Sequence, residues 1–365
     1  MQESTLIFIS AFASLLLARK AAVKIGLVDK PNVRKRHKGN IPLVGGVSIY
    51  LALCVLYVLQ SDLLPHFFLY LGCSTVLLVV GILDDRFDLP VLPRIGLQTC
   101  VAIAMMSTGL FISSLGNVFF AGEVLLGVFG YIVTLLAVLG SINAFNMVDG
   151  MDGLLSGLSF VTLSALVIVF YLGENNELAR WSLCFLAATL PYAFLNSGVL
   201  PGKKFKVFMG DAGSTLIGFS VIWLLIVATQ GKESVIRPVT AVWLIAVPLM
   251  DMVAVMTRRV ARGKNPLKAD REHLHHILMR AGLSPHQTLL VILLVAMLFS
   301  IIGILGERIG IPESIMFGVF LMAFCSYFWM ISRIWRVLTW FRRAERDPAS
   351  GLTSVDKNAT TSLKR

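Results

Sequence analysis

The sequence predicts an all-α membrane protein, a polytopic bundle of about 11 transmembrane helices. Hydrophobic residues make up 56% of the 365 residues, charged residues only 15%, and the mean hydropathy is +0.80. Such a composition is too apolar for a soluble fold. The apolar residues fall into stretches of about 20, the length that a helix needs to cross a hydrocarbon core about 30 Å thick. Lys and Arg are concentrated in alternate connecting loops, as is typical of proteins that cross a membrane many times.

The first apolar segment is predicted to be an uncleaved span. It is short but extends to about residue 22, and the residues before it include Glu3 and no Lys or Arg, unlike a secretory signal peptide. Ten further apolar segments follow it along the chain. In order, the predicted spans are 5–18, 41–60, 66–83, 95–115, 124–146, 153–172, 181–200, 214–229, 238–256, 288–306 and 312–333.

The distribution of basic residues predicts the orientation in the membrane. Of the 32 Lys and Arg residues, 28 fall in one of the two alternating sets of loops. Cytoplasmic loops carry the excess of Lys and Arg, so we expect the N-terminus outside the cell and the C-terminus in the cytoplasm. The basic set consists of loops 19–40, 84–94, 202–213 and 257–287 and the C-terminal tail.

The chain is predicted to form one domain. Residues 1–340 would be the membrane domain, with the four basic loops forming the site. The basic tail, 341–365, has no periodic apolar face and is predicted to be disordered. The net charge of +11 is explained by topology and by the anionic headgroups of the lipid bilayer rather than by nucleic acid. The sequence leaves a homo-oligomer open.

The first of four polar motifs on the cytoplasmic side contains Asp84 and Asp85, within Leu-Asp-Asp-Arg-Phe-Asp. Its DDxxD spacing can hold Mg²⁺ and a diphosphate on one helical face. A pair of adjacent acids is also a candidate proton acceptor, because like charges raise one pKa toward neutrality. The alternative is simple helix termination at the interface.

The second motif contains Asn143, Asn146, Asp149 and Asp152, in a segment that joins two apolar stretches. Asp is costly within hydrocarbon, by about 2.5–3.5 kcal/mol, so the segment must meet water, a wet cavity or a cation. A tight turn with Asp caps would explain the two acids. It would not explain the two asparagines, which lie within the helix end and need partners.

The third motif contains Phe208 and Asp211, in Val-Phe-Met-Gly-Asp-Ala-Gly-Ser, and follows several lysines. The N-terminus of a helix and lysines both attract phosphate, and an aspartate among them would bring a metal. A helix cap beside lysines placed by topology is the alternative.

The fourth motif, in the longest cytoplasmic loop, contains Arg271, His273, His275 and His276. Three histidines allow a zinc site, but no Cys accompanies them, and contacts to phosphate or sugar need the same donors. A solvated helix face is the third alternative.

Together these motifs resemble the polyprenyl-phosphate N-acetylhexosamine-1-phosphate transferases, and the resemblance covers nearly the whole chain. The residues that carry it occur in the family's order. They are PNVRKRH at 31–37, IPLVGG at 41–46, LDDRFD at 83–88, NAFNMVDGMDGL at 143–154, VFMGDAGSTLIG at 207–218, PLMD at 248–251 and HLHH at 273–276.

The resemblance implies a bundle of about ten or eleven spans and the transfer of GlcNAc-1-phosphate from UDP-GlcNAc to undecaprenyl phosphate, with release of UMP. Such a reaction begins the synthesis of surface polysaccharides such as O-antigen and enterobacterial common antigen. The resemblance therefore implies a protein of a bacterial inner membrane, with its N-terminus in the periplasm and its site facing the cytoplasm. It also implies Mg²⁺ as cofactor, with Mn²⁺ as a substitute. The HLHH motif differs from the HHH of the peptidoglycan translocase in this superfamily, which argues against a peptide-bearing substrate.

The resemblance further implies a role for each site residue. Asp211, helped by Asn146, is expected to bind the metal, and Asp152 and Phe208 to contact the uracil. Asp84 and Asp85 are expected to activate or orient the lipid phosphate, with Asp149 as a further acidic residue near the metal. The other expected substrate contacts are His37, Lys38, Asn143, Arg271, His273, His275 and His276.

Two other classes remain as alternatives. A membrane prenyltransferase of the UbiA kind also uses two Asp-rich motifs with Mg²⁺, but it releases pyrophosphate and leaves FMGDAGS and HLHH unexplained. A transporter or flippase would place ionisable residues near the bilayer midplane. For the transfer itself, direct attack by the lipid phosphate is favoured over a covalent aspartyl intermediate, because a phosphate whose second pKa is about 6 is already largely deprotonated.

Overall fold

The computed structural model describes residues 2–30, 39–197, 205–231, 234–265 and 272–346. Within these ranges the protein is helical, as predicted, apart from one short antiparallel sheet of β1 (Val28–Asp29) and β2 (Ile41–Pro42). The helices are α1 (Gln2–Ile25), α2 (Gly45–Leu59), α3 (Phe67–Phe87), α4 (Val91–Met106), α5 (Phe129–Val148), α6 (Leu154–Leu172), α7 (Asn176–Ser197), α8 (Gly210–Thr229), α9 (Pro238–Leu244), α10 (Ala246–Ala261), α11 (Leu274–Arg280), α12 (Pro285–Ile309) and α13 (Glu313–Arg346).

Among the described residues, eight helices are long and apolar enough to cross a membrane, which makes this a multi-pass membrane protein. They are α1, α3, α5, α6, α7, α8, α12 and α13. Helices α9 and α10 would count as a ninth span if taken together, and α2 and α4 are shorter apolar helices. Every predicted span coincides with one of these helices or with the bent pair, but the count of about 11 crossings stays a prediction.

The ninth predicted span, 238–256, is broken rather than straight. The axes of α9 and α10 differ by 82°. Pro248 has no N–H to donate to the carbonyl of Leu244, so the span lacks one helical hydrogen bond at this point. The hydroxyl of Thr162 donates to that carbonyl instead, at 3.2 Å. The break is therefore stabilised by a contact from α6.

Three other predicted segments differ in detail from the structure. The predicted span 95–115 ends as a helix at Met106, where the hydroxyls of Ser107 and Thr108 bond back to helix carbonyls. The predicted loop 257–287 contains the short helix α11. The predicted disordered tail starts too early, because α13 runs to Arg346 through Arg, Ala and Glu residues of high helix propensity. Residues 347–365 lie outside the described residues.

Helix α8 forms the centre of the bundle and packs against α2, α3 and α5. It is the most buried span, whereas most of the surface of α1, α12 and α13 is exposed. Small residues bring backbones together around it: a Cβ at Gly81 of α3 would collide with the Cα of Ala212. In a membrane such close packing takes the place of the hydrophobic effect between helices. The N-terminus of α8 is thereby held against the ends of α3 and α5, which carry the predicted acids.

Candidate active site

The acidic cluster forms where α3 meets the N-terminus of α8. Asp85 accepts hydrogen bonds from the backbone N–H groups of Asp211 (2.9 Å) and Ala212 (3.4 Å), so its carboxylate caps α8. Gly210 makes this approach feasible: its φ is +74°, and a Cβ there would collide with the Asp85 carboxylate. The Asp pair and the Asp211 motif, 126 residues apart, are therefore one site.

Arg94, on α4, bridges two of the acids. Its guanidinium forms an ion pair with the buried Asp84 and lies 3.6 Å from Asp211 Oδ2. Asp84 also accepts from the backbone N–H of Leu89 at 2.8 Å. Sequence reasoning missed Arg94, although a basic residue at the edge of a predicted span, close to an acid pair, was a usable signal.

The two asparagines of the second motif do have partners. Asn146 donates through Nδ2 to Asp211 Oδ1 (2.7 Å) and to Ser214 Oγ (2.9 Å). Asn143 donates to the carbonyl of Leu139 (2.7 Å) and to Gln98 Oε1 (3.4 Å). A small cavity of about 20 Å³ lies between α3, α4, α5 and α8, with room for about one water or ion. Its polar lining consists of Asp84, Arg94, Gln98, Asn143, Asn146, Asp211 and Thr215.

Asp152 and Phe208 lie on either side of Lys206. The Lys206 ammonium forms an ion pair with Asp152 and lies 5.2 Å from the centroid of the Phe208 ring. The backbone of Phe208 is bonded to the segment after β2, accepting from Val44 N–H at 3.1 Å. The two residues expected to contact uracil are therefore close together: Asp152 lies in the turn that follows α5, and Phe208 lies beside that turn. Asp149 begins that turn.

The histidine helix α11 is fixed by Asp251 of α10, for which the sequence suggested no role. The buried Asp251 carboxylate contacts His273 Nδ1 (2.8 Å) and accepts from Leu274 N–H (2.9 Å) and from the Tyr327 hydroxyl (2.9 Å). Because an ionised carboxylate only accepts hydrogen bonds, we assign the proton of a neutral His273 to Nδ1. Asp251 thus sets the orientation of this imidazole.

His275 places the histidine helix against the turn of the second motif. A Cβ at Gly150 would lie 2.6 Å from His275 Nε2, so ring and backbone are in direct contact. Nε2 is buried and has no hydrogen-bond partner among the described residues. Burial, reinforced by the charge of His276, lowers the pKa of His275 to about 3, so the ring is neutral at physiological pH. The ring of His276 lies 4.1 Å from that of His275.

The donor set fits magnesium better than zinc. Among the described residues there is no group of three or more His, Cys, Asp or Glu side chains that could hold a metal alone. Magnesium does not need such a group, since one or two carboxylates, waters and substrate phosphates complete its octahedron. Asp211 suits this role because its side chain is 39% exposed, whereas that of Asp84 is only 4% exposed.

Most of the predicted site residues meet at one end of the bundle. Asp84, Asp85, Asn143, Asn146 and Asp211 form one group, Asp152 and Phe208 a second, and the three histidines a third beside the turn. His37, Lys38 and Arg271 lie outside the described residues. Besides Arg94, sequence reasoning missed Gln98 and Asn196, polar residues inside apolar helices that belong to none of the motifs.

The fold and the site define a multi-pass membrane protein with a carboxylate-rich site at one end of its helices. Residues 67–229 match the sequence profile of the family described as glycosyl transferase family 4. The chain belongs to this family, and the protein is an enzyme of the glycosyltransferase class.

Curated relatives match almost the whole chain. A protein of Yersinia pestis is 51% identical over 346 residues, 94% of each chain. One of Escherichia coli (strain K12) is 51% identical over 348 residues, 94% of this chain and 95% of the relative. One of Haemophilus influenzae is 47% identical over 340 residues, 93% of this chain and 96% of the relative. All three are named undecaprenyl-phosphate alpha-N-acetylglucosaminyl 1-phosphate transferase. These findings favour the transferase over the prenyltransferase and the transporter.

Proposed function

We propose that this protein transfers GlcNAc-1-phosphate from UDP-GlcNAc to undecaprenyl phosphate, forming undecaprenyl-diphospho-GlcNAc and UMP. The relatives' shared name supports the acceptor and the sugar. The observation that carries the proposal is the acidic cluster at the N-terminus of α8, in which Arg94 bridges Asp84 and Asp211 while Asp85 caps the helix. Acids outnumber the base there, and a divalent cation would offset the surplus negative charge and bind the diphosphate of the donor.

The reaction joins two anions, so its main barrier is electrostatic. A phosphate monoester must approach a phosphorus atom that already bears negative oxygens, and negative charge then builds up on the departing UMP. Mg²⁺, or Mn²⁺ in its place, would supply Lewis-acid stabilisation of that charge, held by Asp211 with Asn146. Arg94, beside Asp211, and Lys206, beside Asp152, add fixed positive charge to the site.

The other residues bind and orient the substrates. Asp152 would accept the base N–H and Phe208 would stack on the uracil. The histidines would contact the sugar diphosphate, with His273 aligned by Asp251. Asp84 and Asp85 would orient the lipid phosphate for direct attack.

We also propose eleven crossings, an N-terminus in the periplasm and a site that faces the cytoplasm of a bacterial inner membrane. The helices α3, α7 and α10 are each followed by a loop of the Lys- and Arg-rich set, which supports this orientation. The lipid-linked product would then be available on the cytoplasmic side for the synthesis of surface polysaccharide.

The test is to incubate the purified protein with UDP-GlcNAc, undecaprenyl phosphate and Mg²⁺ and to measure UMP and the lipid-linked sugar. Equal amounts of both products, formed only when both substrates are present, would support the proposal. Release of pyrophosphate would indicate a prenyltransferase instead. Formation of neither product by folded protein would contradict the proposal.

A further inference from the structure

Asn196, near the end of α7, joins the two segments that carry Asp152 and Phe208. Its side chain is buried, with 3% of the residue exposed. The amide oxygen accepts from the backbone N–H of Gly153 at 2.7 Å, and Nδ2 donates to the carbonyl of Val207 at 3.0 Å. Both halves of the amide are therefore engaged, each by a different segment.

The two bonded backbone groups are direct chain neighbours of the nucleotide residues. Gly153 follows Asp152, and Val207 lies between Lys206 and Phe208. The contacts from Lys206 to Asp152 and to Phe208 cross the same gap that Asn196 bridges. Asn196 thus fixes the two backbones, while Lys206 connects the side chains that project from them.

We propose that Asn196 is a positioning residue for the nucleoside part of the donor substrate, holding Asp152 and Phe208 at the separation that one base requires. This inference rests on the proposed function, because it takes the donor to be a uridine diphosphate sugar. Asn196 itself does not contact the substrate in this account. A stacked base that also hydrogen-bonds tolerates little error in that separation, since misplacement by about 1 Å can cost about 100-fold.

The residues proposed to orient the lipid acceptor are held independently of Asn196. Asp84, Asp85 and Arg94 are held by contacts among α3, α4 and α8, and none of their hydrogen bonds given above involves Asn196. Loss of the Asn196 bridge should therefore weaken binding of the donor and leave binding of the lipid acceptor unchanged.

The first test is Asn196→Leu, which keeps the approximate volume and removes both hydrogen bonds. We expect the KM for UDP-GlcNAc to rise about ten-fold, as for the loss of two buried hydrogen bonds, and the KM for undecaprenyl phosphate to stay within about two-fold. The matched control is Ser197→Ala, an exposed neighbour whose hydroxyl donates to the carbonyl of Phe194 in its own helix. A similar rise in both KM values would reduce Asn196 to a general structural role and overturn the inference.

A double-mutant cycle separates positioning from stability. If Asn196 acts through Asp152, then Asn196→Leu should raise the donor KM by less than about two-fold in an Asp152→Ala background. If the effects of Asn196→Leu and Asp152→Ala on the free energy of donor binding simply add, the inference is overturned. If Asn196→Leu does not fold, Asn196→Ser takes its place in the experiment. We then expect a rise in the donor KM below about ten-fold, with the KM for undecaprenyl phosphate unchanged.

Binding of UMP, measured by calorimetry on the full chain, keeps this test separate from that of the proposed function. A wild-type protein that binds UMP but transfers no sugar would contradict the proposed reaction and leave the inference testable. We expect Asn196→Leu to weaken UMP binding about ten-fold, again from two lost hydrogen bonds. Unchanged UMP binding by that variant would overturn the inference even if transfer is active.

Discussion

The two ends of the helix bundle each contain a network of charged residues, but only one network is balanced. At the end opposite the site, Arg237 pairs with Glu307 at 3.1 Å and also donates to the carbonyls of Gly306 (3.2 Å) and Ile311 (2.7 Å). Thr240 adds a hydrogen bond to the same Glu307 carboxylate. One acid faces one base, and the network joins the start of α9 to the α12–α13 connection.

At the site end, the cluster contains three carboxylates but only one guanidinium. Asp84 and Asp211 share Arg94, and Asp85 is held by backbone N–H groups. A balanced pair stabilises a fold, whereas a surplus of buried acid is costly unless a cation or a cationic complex binds there. The comparison indicates that the opposite end serves structure and the site end serves binding and chemistry.

The largest expected effect comes from exchanging one carboxylate for an amide at each end. Asp211→Asn should lower turnover about 1,000-fold with little change in thermal stability, because the amide keeps the shape but loses the charge that would bind the metal. Glu307→Gln should keep turnover within about two-fold and lower the free energy of unfolding by about 1–3 kcal/mol, since Arg237 loses its counter-charge. Turnover by purified protein and thermal unfolding in detergent measure both. The reverse pattern would invalidate the comparison.

A smaller effect is expected when the shared base is removed. Arg94→Met should lower kcat/KM about 100-fold, because Asp84 and Asp211 then repel each other and a desolvated guanidinium contact is lost. Arg94→Lys should recover part of the loss. The control is Arg86→Met, an exposed arginine at the same end that donates to the carbonyl of Gly26. Equal losses in the Arg86 and Arg94 variants would contradict the specific role of Arg94.

The alignment of His273 by Asp251 predicts a more modest effect. Asp251→Asn should lower kcat about ten-fold, because the amide can present an N–H to His273 and favour the other tautomer. Tyr327→Phe removes one hydrogen bond to the same carboxylate and should cost about two- to three-fold. Steady-state kinetics and melting temperatures separate the two outcomes. A fall in melting temperature with unchanged kcat would assign Asp251 to structure alone.

The last expected effect concerns stability rather than activity, and it depends on pH. The pKa of His275 is lowered to about 3 in the fold, below its unfolded value of about 6.5. The unfolded chain therefore binds a proton first as the pH falls, so stability is full above about pH 6.5 and decreases toward pH 3. Between pH 7.5 and 5 the loss should be about 2 kcal/mol, measured from unfolding in detergent.

His275→Gln should flatten that pH dependence, because it removes the titrating group. His66→Asn, at an exposed histidine of the opposite end, should leave it unchanged. A pH dependence that persists in the His275 variant would assign it to other groups.

Much of the fold was predictable from the sequence, because each helix that crosses the hydrocarbon core needs about 20 consecutive apolar residues. Each predicted span coincides with a helix or the bent pair, and the four motifs meet at one end as the alternation of loops required. Pro248 is a local signal for a break in the span 238–256, but the 82° bend was not predictable, since the hydroxyl of Thr162 contacts the carbonyl that Pro248 leaves without a donor. Such tertiary contacts leave no local pattern.

The candidate site was predictable to the extent that its residues form motifs. Asp85 and Asp211 were both singled out, but the capping of α8 by Asp85 depends on how closely α3 and α8 pack. Arg94 and Asn196 were missed because each is a single polar residue in or beside an apolar stretch. Each acts on partners in other segments of the chain: Arg94 on Asp84 of α3, and Asn196 on the backbones of Gly153 and Val207.

The most direct test of the central claim is to ask which end of the bundle uses UDP-GlcNAc. Inside-out and right-side-out membrane vesicles would receive the impermeant donor externally, and single cysteines at Lys264 and Asn117 would report which end an impermeant thiol reagent reaches. Lys264 is exposed at the site end and Asn117 at the opposite end. We expect UMP release only from vesicles labelled at position 264. Release from sealed vesicles labelled only at position 117 would contradict the account.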